Sequence, residues 1–371
     1  MTKQKLCGII ERVSGRLGYI APENCFNLDD MYSWEWHQGV GLYGMYRYYL
    51  ETKRKDVLEG IIHWYEENIR RGLPEHNVNS TCPLFTLMYV YEETGDERYL
   101  KICMDWAEWV MHELPKTEEG IFQHTVFGGD NHNQVWDDTL FMAVLFLAKM
   151  GVFLGREDYI AECVYQFLEH LKYLTDNETG LLFHGWTFEG RHNFARARWA
   201  RGNCWLTAVI VEFLDIVPNL DKGVRRFLIT ALNEQVKTLV KFQETDGMWH
   251  TLIDDPSSYV ETSATAGFGY GILKGVRKGY LAPAYEEAGL RAVSGVLSNI
   301  AQNGDVLNVS YGTGMGDELE DYKKIPIVLQ PFGQALTILL LTEYMQDVHF
   351  RTERMPEVKP HVFKATEKSL V

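Results

Sequence analysis

Apolar residues recur at i, i+3, i+4 and i+7 through most of this 371-residue chain, the spacing that lines one face of a helix. The pattern predicts helices near residues 38–53, 56–72, 82–94, 97–113, 138–153, 157–174, 201–217, 222–243, 263–278, 283–300 and 330–346. Turn signals separate them, among them "ETGDERY", "LGREDY" and "KGYLAPAY". Alternation of strand type is scarce and short. The fold class expected is therefore all-α.

A weak repeat sets the architecture. "EEGIFQH" (118–124), "ETGLLFH" (178–184) and "TDGMWH" (245–250) each run from a polar residue through glycine and two or three apolar residues to histidine, and "NGDVLNVS" (303–310) is a degenerate fourth copy. Their glycines stand at 120, 180, 247 and 304, about sixty residues apart, room for a loop and a pair of helices. Hairpins at that period close into a ring, so the chain reads as one (α/α)6 barrel over residues 1–371, with a polar tail after about 350. In such a ring the inner helices deliver their first residues to one mouth, where residues distant in sequence build a common pocket.

Composition narrows the function. Net charge is −15, which disfavours nucleic acid and anionic membrane surfaces as partners. No apolar run has the length of a signal peptide or of the ~20 residues a spanning helix needs. The six cysteines form no CxxC pair, against a zinc site or disulfide framework and in keeping with the cytoplasm. Aromatic residues make up 13%, a content that permits sugar stacking without requiring it. No GxSxG, HExxH, Walker A or strand-borne GxGxxG sequence is present, and "SYGTGMGD" (310–317) lacks the strand–helix context of a phosphate loop.

Three stretches carry candidate chemistry. In "VWDDTLFMA" (135–143), Asp137 and Asp138 follow Trp136 and open an apolar segment. One carboxylate is explained as a helix cap, but not both. In "WARGNCW" (199–205), Arg201 stands between Trp199 and Trp205 before a helix, a grouping suited to clamping a carboxylate between stacking rings and equally to core packing. In "FHGW" (183–186), His184 precedes Trp186 and belongs to the repeated histidines. Trp34, Trp36 and His37 cluster in "YSWEWHQG".

At these residues the chain resembles glycoside hydrolase family 105, the unsaturated rhamnogalacturonyl hydrolases, and its sister family 88, the unsaturated glucuronyl hydrolases, over about residues 25–346. The resemblance implies an (α/α)6 barrel and an oligosaccharide substrate whose terminal uronic acid carries a C4=C5 double bond. It implies that Asp138, directly before "TLFM", protonates C4 and activates water for attack at C5, with Asp137 capping or orienting. By the same likeness His184, Trp199, Arg201 and Trp205 contact substrate, as do Trp36, Trp136 and Asn79. No metal or organic cofactor is implied. One departure stands out: members often carry a second aspartate before an early inner helix, where this chain reads "HNVNSTCPLFTL" (76–87), leaving Asn79 or Thr81 as its replacement. Rival readings are another (α/α)6 sugar enzyme, either an epimerase using paired histidines or a saturated-sugar glycosidase with a second carboxylate, and a non-catalytic carbohydrate-binding toroid.

Overall fold

A computed structural model describes residues 1–17 and 33–346; Cys25 and the polar tail after about 350 lie outside them. Six helices form an inner ring: α2 (Trp36–Thr52), α4 (Val78–Thr94), α6 (Leu145–Leu154), α8 (Ala200–Ile216), α10 (Thr262–Arg277) and α13 (Pro331–Tyr344). Each packs on the next, and α13 closes back on α2. Outside them lie α3 (Lys55–Arg71), α5 (Glu97–His112), α7 (Glu157–Leu174), α9 (Lys222–Phe242) and α11 (Glu286–Ser298). The sixth outer place is filled by α1 (Lys3–Arg16), which packs on α13 from the other end of the chain. A short helix, α12 (Leu319–Lys323), precedes α13. The expected (α/α)6 ring is thus the observed one.

Burial explains the division. Sixteen of the 17 residues of α8 are buried, and 13 of the 14 of α13, because an inner helix has neighbours on every side. The outer helix α9 buries only 6 of its 21 residues, along one stripe. The far end of the ring is closed by ionic and polar contacts. Lys274 and Glu212, both buried, pair at 2.6 Å, and the Tyr43 hydroxyl donates to Glu212 at 2.6 Å.

Beyond the short α12, which no predicted segment covers, two segments depart from the helix pattern. The periodicity gives α1 no signal of its own, because its stripe of Leu6, Ile10 and Val13 is narrow among charged residues. Helix α4 starts four residues before the predicted 82, since Asn77 and Ser80 form a reciprocal cap and Pro83 is tolerated inside the helix. Strands are few, as expected. Residues 134–136 (β1) pair antiparallel with 185–187 (β2), placing Trp136 opposite Gly185.

The repeated glycines share one conformation. Gly120, Gly180, Gly247 and Gly304 have φ of 77°, 73°, 90° and 96°, the left-handed region that glycine enters without penalty. Each closes a tight turn by donating its N–H to a carbonyl three or four residues back (Thr117, Asp176, Glu244 and Ala301), so the repeat marks the return from an outer helix to the next inner one. Their surroundings differ. A Cβ on Gly247 would lie 2.1 Å from the Arg291 carbonyl oxygen and one on Gly304 2.4 Å from that of Arg12, whereas on Gly120 the nearest atom is the Tyr165 hydroxyl at 3.5 Å. Gly120→Ala is expected to cost about 1–2 kcal/mol for the left-handed backbone alone. Gly247→Ala and Gly304→Ala should lose at least about 1 kcal/mol more through overpacking. Denaturant unfolding of the three variants checks this, and equal losses would contradict it.

Candidate active site

The mouth lies where the inner helices begin. Asp138 sits just before a turn of π-helix, Leu140–Val144, that leads into α6. Its backbone carbonyl accepts from Phe141 and Met142, both at 3.1 Å. Neither aspartate caps the helix with its side chain: the cap position belongs to Thr139, with no side-chain bond, so the capping expected for Asp137 is not observed. The β1–β2 ribbon holds the pair in place, and Asp137 N–H donates to the His184 carbonyl at 3.2 Å. A π-turn re-aims the residues beside it and is frequent at functional sites.

Asp138 and His184 face each other. His184 Nε2 lies 3.8 Å from Asp138 Oδ2, with the Asp138 side chain 15% exposed and that of His184 1%. The other imidazole nitrogen, Nδ1, bonds the Tyr322 hydroxyl at 2.7 Å. Trp136 walls the pair on one side. It meets His184 edge-on at 5.3 Å and stacks on His124 at 4.6 Å, while His124 Nδ1 bonds Thr139 Oγ1 at 2.8 Å. Of the three repeated histidines, 124 and 184 thus frame the mouth. His250 bonds the Ser258 carbonyl and Glu244 instead.

Arg201 is buried and already engaged. Its Nη1 donates to Ser310 Oγ at 2.7 Å and to the Ser310 carbonyl at 3.2 Å. Nη2 donates to the Tyr311 carbonyl at 2.9 Å and Thr313 Oγ1 at 3.0 Å. Glu261 lies 3.6 Å away, and the Trp199 and Phe332 rings sandwich the guanidinium at 4.7 and 4.5 Å. Instead of the free two-pronged clamp expected for a substrate carboxylate, it anchors residues 310–313 and brings positive charge close to Asp138.

The tryptophans divide likewise. Trp205 is fully buried, edge-on to Trp36 at 5.8 Å and against Phe141 at 4.9 Å. It offers no free face, so the stacking expected of it is replaced by support of the wall. Trp199 is buried against Tyr322 and Leu252. Trp36, stacked on Phe332 at 4.9 Å, keeps part of its surface free, as does Trp186. Asn79 is half-buried in the first turn of α4, which packs on the π-turn. Thr81 spends its hydroxyl on the Asn77 carbonyl at 2.8 Å. Tyr322 and Phe332 escaped the sequence reading, and Ser310 entered it only within the glycine-rich stretch set aside as a phosphate loop. They come from the last quarter of the chain, and only ring closure brings them to residues 138–201.

The electrostatics follow from burial. Asp137, with no exposed surface, has its pKa pushed well above the carboxylate range by desolvation and then by the charge of Asp138. Asp138 is raised too, chiefly by burial, against the pull of Asp137, Arg201 and the Trp205 indole N–H. His184 is held neutral by burial, reinforced by His124 and Arg201. Among the described residues, Asp137, Asp138 and His184 form the group with metal-binding spacing, one ligand atom of each lying within 4.8 Å of the others. Metal binding needs ionised carboxylates, and the burial that raises both aspartates works against that charge.

Fold and mouth together put this protein among the helical-toroid glycoside hydrolases. Residues 10–348 match the model of Glycosyl Hydrolase Family 88, and the chain belongs to that family. It is 32% identical over 349 residues to the unsaturated rhamnogalacturonyl hydrolase YesR of Bacillus subtilis, covering 93% of this chain and 96% of that one. Two solved structures, each described as a possible member of family GH105, superpose over 93% of this chain and 94% of theirs. The one from Klebsiella pneumoniae shows TM-score 0.91 and 47% identity, the one from Salmonella enterica 0.90 and 46%. No helix among the described residues is long and apolar enough to cross a membrane.

Buried neutral histidines link stability to pH. Burial lowers His124 to about 3 and His170 to about 4, while the unfolded chain takes up these protons near pH 6.5. Their contribution is complete above pH 6.5 and is lost as pH falls toward those folded values. Between pH 7 and pH 5 the parent protein should therefore lose more unfolding free energy than His170→Gln. Urea titrations at both pH values measure the difference, and a parent that loses no more than the variant would refute it.

Proposed function

We propose that the enzyme removes a terminal 4,5-unsaturated uronic acid, an unsaturated galacturonyl group on rhamnogalacturonan-type fragments, by hydrating its double bond. One observation carries the reading: a partly exposed carboxyl, Asp138, stands at the mouth beside a neutral His184, with a pKa raised by burial. The likeness to YesR supports the substrate class.

The chemistry needs one acid that becomes a base. Protonated Asp138 gives its hydrogen to C4, and the positive charge that develops at C5 is shared with the ring oxygen. Water adds at C5 and returns a proton to Asp138. The resulting hemiketal opens at the bond between C5 and the ring oxygen, and the hemiacetal left at C1 expels the remaining sugar. His184, neutral and buried, orients the carboxyl or the water. Arg201 supplies a fixed positive charge toward the substrate carboxylate and holds the 310–313 segment, while Trp36 and Trp136 line the sugar site with Asn79. A saturated-sugar glycosidase would need a second carboxylate across the sugar, about 5–10 Å away. Asp137, adjacent in sequence, has no exposed atom to serve there.

Asp138→Asn should lower kcat on lyase-generated unsaturated disaccharides by about 10²–10⁴-fold with an unchanged unfolding midpoint, followed as loss of the ultraviolet absorbance of the C4=C5 bond. In the parent, kcat should fall as pH rises through the raised pKa of Asp138, because the first step uses its protonated form. A folded Asp138→Asn that retains full turnover removes the residue from this role.

A further inference from the structure

No substrate atom reaches Asp137. It has no exposed surface, and neither carboxyl oxygen has a hydrogen bond of normal geometry; the backbone N–H groups of Asp137 and Asp138 lie close enough only to offset part of the desolvation. The carboxyl fills the groove that Gly202 leaves on α8: a Cβ there would lie 2.0 Å from Oδ2 and 2.6 Å from Oδ1. Its open side faces Asp138, whose own Oδ2 is also buried without a hydrogen bond of normal geometry, and the ligand atoms of both lie within the 4.8 Å cluster that includes His184. An ionised carboxylate in this place would be desolvated, weakly bonded and beside a second carboxylate, each of which disfavours the charge. The protonated form resolves all three, since its O–H can be donated to Asp138. The same burial drives its pKa well up.

We infer that Asp137 is a positioning residue that keeps its proton throughout the reaction and donates it as a hydrogen bond to Asp138. The inference rests on the hydration mechanism assigned above to Asp138. When Asp138 passes its hydrogen to C4 it becomes a carboxylate, and the Asp137 O–H stabilises that new charge. When water adds at C5, Asp138 takes one of its protons and is restored. The Asp137 proton never leaves, and the balance closes over Asp138, C4 and one water. Gly202 is part of the device, because any side chain there would expel the carboxyl. The other titratable groups around the pair are His184, Arg201, Cys204 and Tyr322, with His124 and Glu261 behind them. Both histidines are neutral, which leaves the aspartates to set the pH profile.

The test uses the full chain, unsaturated disaccharides, and the variants Asp137→Asn, Asp137→Leu and Gly202→Ala. Asn keeps a donor and should hold kcat within about tenfold of the parent. Leu has none and should lower kcat by about 10²-fold, as the loss of one charge-stabilising donor does, with KM within about twofold. Its alkaline limb of kcat should move to higher pH, because Asp138 without the donated bond keeps its proton longer. Gly202→Ala should shift kcat and the limb in the same direction as Leu. A readout free of substrate is the infrared carbonyl band of a protonated carboxyl at neutral pH that persists in Asp138→Asn and is removed by Asp137→Asn. The inference is overturned if that band is missing from the parent. It is also overturned if Asp137→Leu, folded by its unfolding midpoint, keeps the parental kcat and pH limb, or if Asn and Leu fail alike with an unmoved limb. Loss of parental activity to a chelator, restored by a divalent cation, would assign the cluster to a metal and overturn it too. A parent that shows the band but turns over no unsaturated disaccharide defeats the hydration mechanism itself, and the role of Asp137 with it.

Discussion

The structure depends on helices that have no face for water. Once α8 and α13 bury nearly every side chain, each must be enclosed by neighbours on the ring, by an outer helix and by the barrel axis. Every outer helix then acts as a return, so all six inner helices run the same way and present their first residues at one end. That end collects Trp36, Asn79, Asp138, Arg201, Glu261 and Phe332 from segments spread over three hundred residues. The other end is closed by the buried pairing of Lys274 with Glu212. Such a pair adds little net stability, but loss of either partner leaves an uncompensated buried charge.

Within the mouth, burial sorts groups that look alike in sequence. Asp137 and Asp138 are neighbours, yet one carboxyl is sealed against Gly202 and the other is partly open beside His184. A pair of acids whose surroundings separate their protonation behaviour can divide the work of donating and stabilising. Arg201 shows the same sorting. A guanidinium at a helix start is well suited to an anion, but here its terminal nitrogens are spent on residues 310–313. It therefore acts through its charge and through the segment it holds.

The histidines follow one rule as well. His124, His170 and His184 are buried neutral, so the protein carries uncharged imidazoles where protonation would place a cation among apolar rings. For His184 this leaves Nε2 without a hydrogen bond, 3.8 Å from Asp138 Oδ2.

The sequence alone determined the helical class, eleven of the helical segments and the sixty-residue beat, because periodicity and turn glycines are local properties. The left-handed turns at Gly120, Gly180, Gly247 and Gly304 are the physical content of that beat. It also marked Asp138, His184 and Arg201, since acids, histidine and arginine among tryptophans are conspicuous in otherwise apolar stretches. Tertiary structure decided the rest. That Trp205 is wall and Trp36 is part surface, that Arg201 is already bonded, that Tyr322 holds His184, and that Asp137 lies in the hollow of a glycine 65 residues later are outcomes of ring closure. Burial and partnership are set by what packs opposite a residue, and no local pattern carries that information.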